Sequence, residues 1–314
     1  MVITFATTKE RVQLPREHTN NLGAELKDLM KNLPFIVLPL LATTLFFYYR
    51  NLITGVFFVL VIGAMYAVIK RLINKDKTDI SSSQQDIIDL LTNKPWLILL
   101  GMGFLTMMFN GIKYGVIAYY FKYYIGSELL AGQYFVGLLL VSIAGALCTS
   151  PLSKWLGRKQ LFIIALILSS LLTGAIFWVP QGDVFSIFII GCSAEFFAAI
   201  LPTLFFSMLG DSADYSEWKN NRRATGLLYS AGTFVQKTGG GFAGALVLVV
   251  LAGYGYDGMD ASTIEASLPG MQWLMSWIPA LFGFAAALLM LAYPITDKMQ
   301  QDISNDLVRR RISS

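Results

Sequence analysis

The stretch Asp211 to Lys237, DSADYSEWKNNRRATGLLYSAGTFVQK, decides the fold, because it runs from a dense group of charges straight into an apolar segment with a lysine in its middle. Lys237 lies 14 residues beyond Arg223 and 16 before Gly253. At 1.5 Å per residue these are about 21 and 24 Å of helix, too far for a lysine side chain to reach water at either end. A charge at that depth costs about 2.5–3.5 kcal/mol to insert, so it is expected to face a cavity or a partner. Gly226, Ser230, Thr233, Lys237, Gly240 and Gly244 recur at intervals of three and four and share one small, polar helix face.

The rest of the chain fits that setting. Mean hydropathy is +0.58, and only 14% of the 314 residues are charged, against roughly a quarter in soluble domains. Eight apolar stretches are each about long enough to cross a hydrocarbon core: Leu33 to Tyr49, Ile53 to Ile69, Pro95 to Phe121, Leu129 to Cys148, Leu161 to Val179, Val184 to Leu209, Gly226 to Gly253 and Trp273 to Tyr293. They predict an all-α integral membrane protein embedded in the lipid bilayer. The first two stretches, about 17 residues each, either span or form a re-entrant or interfacial hairpin.

Lysine and arginine concentrate before Leu33, between Ile69 and Pro95, around Ser153, around Asp211 and in the tail, whereas Tyr254 to Met271 has neither. By the positive-inside rule both termini are expected in the cytoplasm. The net charge of +4 is thereby a topological signal, and no basic stripe remains for nucleic acid. Cys148 and Cys192 fall inside spans and read as small packing residues. With His18 the only histidine, a metal site or histidine triad lacks components, and neither paired aspartates nor a Ser–His pair within spans suggests an intramembrane enzyme.

Other ionisable residues fall inside spans. Glu195 lies 12 residues from Asp183 and 16 from Asp211, about 18 and 24 Å by the same rise, so it is expected at the depth of Lys237 and within pairing reach. Lys113, 18 residues past Pro95, either snorkels to the surface or faces a cavity. Tyr119, in the run AYYFKYY from Ala118 to Tyr124, is an interfacial anchor or a substrate contact. Two segments echo each other, DLMKNLPF at Asp28 to Phe35 and DLLTNKPW at Asp89 to Trp96. Each reads as an approach helix stopped by Asn and Pro where the chain meets the membrane. Ile73 to Gln85 reads as a linker.

The core Asp214, Tyr215, Glu217, Trp218, Lys219 with a following arginine, and the spacing Thr233-x-x-x-Lys237, resemble the signature of the glycoside-pentoside-hexuronide cation symporters, the melibiose permease family of the major facilitator superfamily. Thr8 to Arg11, TKER, is similar to the end of that family's sixth helix. The resemblance implies a cytoplasmic segment at 1–32, an extra hairpin at 33–72, a linker at 73–94, a six-helix carboxy-terminal half at 95–296 built as two inverted repeats, and a cytoplasmic tail at 297–314.

It further implies cation-driven uptake of a sugar or glycoside by alternating access, with no cofactor. The coupling cation, sodium or proton, would be held by carboxylates of an amino-terminal half. Thr233 and Lys237 would line the substrate cavity, joined by Lys113 and Tyr119, with Glu195 as a coupling or ion-pair partner. The charged stretch from Asp211 to Arg223 reads as a loop between two helices, in which Asp211, Asp214, Tyr215, Glu217, Lys219, Arg222 and Arg223 would form a cytoplasmic gate. Leu152 to Gln160, LSKWLGRKQ, resembles the superfamily's G-x-x-x-D-R-x-G-R-R loop and brings Arg158 to that gate, although Ser153 or Lys154 stands where an acid is expected. Gly232 departs from the family's more polar pattern, which leaves the sugar open. Alternatively, such a half is inactive alone, or works with a separate amino-terminal half or with a second copy of itself.

Overall fold

The structure, a computed structural model, describes residues 82–313 apart from Arg223, with isolated positions between 56 and 67. The TKER segment, the first echo and nearly all of the expected hairpin lie outside the described residues. Residues 81–314 form one compact unit.

The approach helix ahead of Pro95 is α1, Ser82–Leu91, so the expected linker gives way to helix at its last residues. It stops at Asn93, whose side chain accepts from the Trp96 amide and caps α2, Lys94–Tyr119, with Pro95 in the first turn where no amide is needed. The same side chain donates to the Ser212 carbonyl at 3.1 Å, tying two helix ends together. A π-helical turn, Tyr120–Ile125, extends α2 to Gly126, whose φ of 84° closes it. Next come α3, Glu128–Leu156, and α4, Arg158–Ala175. Asp183 caps α5, Val184–Ala198, by accepting from the amide and hydroxyl of Ser186, and these bonds hold its carboxyl below the usual carboxylate range. The remaining helices are α6, Ile200–Asn220; α7, Thr225–Gly253; α8, Ile264–Met275; α9, Trp277–Leu291; and α10, Asp297–Ser313.

Among the described residues, six helical segments are long and apolar enough to span a membrane, and two are broken. One breaks at Ala199, between α5 and α6, and the other at Ser276, between α8 and α9. Pro202 and Pro279 follow three residues later, where a ring lacks an amide and crowds the carbonyl four residues back. Two expectations are corrected. Asp211 to Asn220 is no loop, because α6 continues through it and the connection shrinks to Asn221–Ala224, with Asn221 left-handed at φ 53°. The last span begins near Ala261 instead of Trp273. In both places polar or kinked sequence lowers local hydropathy without ending the helix.

The helix α2 is central, packed against α7 and α9, while α4 packs on α9 and α5, and α3 on α5. Its fit to α7 depends on glycine. A Cβ at Gly239 would stand 2.9 Å from the Phe104 carbonyl oxygen, and one at Gly111 would stand 2.6 Å from the Ala243 Cβ. Such small residues allow membrane helices to approach backbone to backbone. Because Gly239 abuts Phe104, Ala243 abuts Gly111 and Val247 abuts Gly115, α2 and α7 run parallel. The outer face of α3 presents Leu139, Leu140, Ile143 and Leu147 to the surroundings, as a lipid-facing helix would.

Asn93→Ala removes the cap and the partner of the Ser212 carbonyl. It should destabilise the bundle by about 0.5–2 kcal/mol, read as a lower unfolding midpoint in detergent, whereas Asn93→Asp should retain the cap and lose less.

Candidate functional site

The helix α7 has a buried side and an exposed one, and the exposed side carries a polar strip beside the apolar side chains Leu227, Phe234, Phe242 and Val249. Leu228, Gly232, Gly239, Ala243 and Val247 are buried in the bundle, while Ser230, Thr233, Lys237 and Gly241 are exposed. A Cβ added at Gly240, Gly241 or Gly244 would meet nothing, so the strip beside Lys237 is open. Ser230 and Thr233 donate back to carbonyls one turn earlier, at 2.6 and 3.0 Å, which leaves their lone pairs outward. Among the described residues Lys237 has no ion-pair partner.

Glu195 does not pair with Lys237. Its Oε2 lies 2.6 Å from Lys113 Nζ, and the Tyr114 hydroxyl donates to its Oε1 at 2.6 Å. Lys113 and Glu195 are both 2% exposed, so Lys113 does not snorkel. The ammonium also lies 5.5 and 5.2 Å from the ring centroids of Phe109 and Tyr114, a cation–π environment that replaces part of its hydration.

Depth explains the change of partner. With Gly239 against Phe104 and Met107, Lys237 stands level with roughly Gly103 of α2, which puts Lys113 ten residues, or about 15 Å, farther along the parallel helix. The sequence-based depth of Glu195 was measured to Asp211, but its helix continues nine residues to Asn220, about 14 Å more. That moves Glu195 to the level of Lys113.

The charged end of the bundle is a second cluster. Arg158 donates to Asp211 at 2.6 Å and to Asp297 at 3.2 Å. The Arg158 amide bonds the same Asp297 carboxylate at 3.2 Å, so Asp297 also sits at the N-terminus of α4. Gly157 makes the approach possible, since a Cβ there would overlap that carboxylate and its φ of 83° suits glycine. Lys159 Nζ bonds the carbonyls of Leu291 and Tyr293 at the end of α9.

Beyond them, α10 lies along α6. Gln300 donates to Asp214, the Trp218 indole to Asp306 and Arg311 to Glu217, at 3.2, 2.9 and 2.8 Å. Arg310 reaches the Trp218 carbonyl and Asn221. Lys219 sits 5.9 Å from the Tyr215 ring centroid, and Arg222 lies 3.9 Å from Asp89. Of the expected gate, Asp211 and Arg158 meet directly, Asp214, Glu217 and Arg222 contact flanking helices, and Lys219 lies near Tyr215 of its own helix, while Arg223 lies outside the described residues. Asp297 and the tail helix were missed, because the tail had been counted only for its basic residues.

Tyr119 joins neither cluster. It packs edge-on against Tyr256, with centroids 5.7 Å apart, in an aromatic group at the opposite end that includes Tyr123 and a Tyr120–Tyr124 stack.

Residues 46–297 match the family described as MFS/sugar transport protein. The chain belongs to this family. It is a multi-pass membrane protein of a transporter family, and not an enzyme. It is 28% identical to the isoprimeverose transporter of Lactiplantibacillus pentosus, over 70% of this chain and 46% of that protein. It is 24% identical to the inner membrane symporter YicJ of Escherichia coli, over 68% and 46%. Against the putative glycoside/cation symporter YagG of the same species, identity is 27% over 74% and 50%. The chain thus spans about half the length of these relatives.

Breaking the buried pair from one side should be costly. Glu195→Leu, which leaves the ammonium unpaired, should lose about 3–5 kcal/mol, and Lys113→Met with Glu195→Leu should recover most of it, measured as thermal unfolding of the purified protein. At the charged end, Asp297→Ala should release α10, seen as faster proteolytic removal of the tail from an otherwise intact bundle.

Proposed function

We propose that the chain is the carboxy-terminal half of a bacterial inner-membrane symporter that carries a sugar or glycoside together with a cation, sodium or proton, by alternating access. The observation that carries this reading is the exposed, polar face of α7. Turned toward lipid, Lys237 would cost about 2.5–3.5 kcal/mol, whereas turned toward a water-filled cavity it becomes a ligand for sugar hydroxyls or carboxylates. The other wall of that cavity would be an amino-terminal six-helix half. The functions named for relatives of which this chain spans about half, isoprimeverose transport and glycoside/cation symport, support the substrate class.

The lysine and arginine count supports a cytoplasmic position for the charged end. There the Arg158–Asp211–Asp297 cluster would hold one of two packed states, and its bonds would be exchanged as the two halves rock. A second reading, that the chain is inactive alone, is favoured by its span of about half the relatives.

One experiment separates the two. Gradient-driven uptake of labelled glycosides is measured in vesicles that hold this chain, with and without a co-expressed amino-terminal half. Uptake should require both halves and a cation gradient. Lys237→Ala should reduce it about 10- to 100-fold, the equivalent of a lost hydrogen bond from a charged group. Uptake by the chain alone, indifferent to the gradient and to Lys237, would refute the symporter reading.

A further inference from the structure

Tyr114 differs from its neighbours in belonging to two environments. Its ring is 38% exposed, beside the exposed Gly115 and Ala118, yet its hydroxyl reaches inward to a carboxylate that is itself nearly inaccessible. A phenol of this kind is not positioned by chance contacts. Its donor is committed to Glu195 Oε1, Glu195 is held through its other oxygen by Lys113, and Lys113 is enclosed by Phe109 and the Tyr114 ring. One turn back on α2, the buried amide oxygen of Asn110 has no partner among the described residues.

The exposed edge of Tyr114 continues the open strip of α7. Gly111 packs against Ala243 and the Gly240 backbone, so the α2–α7 seam between Lys237 and Tyr114 is built there from small residues. With Lys237 level with roughly Gly103, the two ends are about 16 Å apart along the helices. That is longer than one pyranose ring and suits an oligosaccharide or an extended glycoside.

We propose that Tyr114 is a ligand-contact residue, held in place by the Lys113–Glu195 pair, at the far end of an extended glycoside site that begins at Lys237. The inference rests on the reading of the α7 face as the sugar cavity. It also assigns polarity to the ligand. The Tyr114 proton is given to Glu195, so its oxygen can only accept, and polarisation by the ionised acid strengthens it as an acceptor. The ligand must therefore present a hydroxyl donor to Tyr114. An acidic group is directed to the opposite end, where Lys237 supplies a positive charge. Lys113 and Glu195 are positioning residues in this scheme and touch no ligand.

The test uses the full chain in lipid nanodiscs, with calorimetric affinities for a panel of nitrophenyl disaccharides and the corresponding methyl monosaccharides. Tyr114→Phe, which keeps the ring, should weaken disaccharide binding about 3- to 10-fold, as expected for one neutral hydrogen bond, and leave monosaccharide binding unchanged. Ala118→Leu, at an exposed position one turn from Tyr114, obstructs the same end without removing the Glu195 bond and should act likewise, so a folding defect in one variant cannot mimic the result. Lys237→Ala should weaken both ligand classes. Disaccharide affinities in Tyr114→Phe and Ala118→Leu equal to the parent, or equal losses for both ligand classes, overturn the inference while leaving the Lys237 reading in place. Failure of the parent chain to bind any of the panel, both alone and assembled with a co-expressed amino-terminal half, overturns both.

Discussion

A lysine and a glutamate that meet 2.6 Å apart inside an apolar bundle determine much of what surrounds them. Neither is tolerable there alone. Removing two charges from water costs several kcal/mol each after relaxation, and their attraction repays this only when geometry is good and the remaining lone pairs are satisfied. Tyr114 supplies the second hydrogen bond to the carboxylate, and two rings face the ammonium. The pair also has a mechanical effect. Glu195 lies in the last turn of α5, just before the break at Ala199, so the bond to Lys113 fastens that break to α2. Because α2 carries α7 through the Gly111 and Gly239 contacts, the direction in which Lys237 faces depends on the same anchor.

The charged end follows a different rule. Apart from Arg158–Asp211, whose acid is buried, its ion pairs are partly exposed, and such pairs contribute about 0–1 kcal/mol each. Their effect comes from number and from a shared helix: α10 contacts Asp214, Glu217, Trp218 and Asn221 in turn, and Asp297 at its start meets Arg158. Carboxylates of the Asp211 segment are therefore already engaged within the chain. Any partner that docks on this end must compete for them, and exchange of weak bonds between two arrangements is cheaper than breaking one strong bond outright.

The six described spans were legible because lipid permits so little else: backbone groups must pair within the segment, and about twenty apolar residues suffice. Asn93 and Pro95 marked the start of α2 by the same capping chemistry that operates in soluble helices. What escaped the sequence was where helices stop and whom buried charges meet. Hydropathy ends at Leu209, but the helix continues through DSADYSEWKN, stabilised by a tail helix that no local signal announces. Once that end was misplaced, Glu195 came out at the wrong depth and Lys237 became its apparent partner. Tyr114 carried no signal at all, since a tyrosine beside a lysine reads the same whether it faces lipid, a cavity or a buried acid.

Two lysines on parallel helices thus receive opposite treatment. Lys113 is buried and neutralised within the bundle, whereas Lys237, about 15 Å away along the axis, is exposed beside open glycines with no ion-pair partner among the described residues. If intramembrane lysines served only to fix packing in this fold, both would be expected to find acids within it, as Lys113 does. A helix that is glycine-rich where it meets α2, polar on its open face and charged at mid-length meets the requirements of a cavity wall: rigid behind, uncrowded in front, with one strong donor held ready. The charge on Lys237 is costly against lipid and useful against a hydrated ligand, and that difference separates a transport surface from a merely structural one.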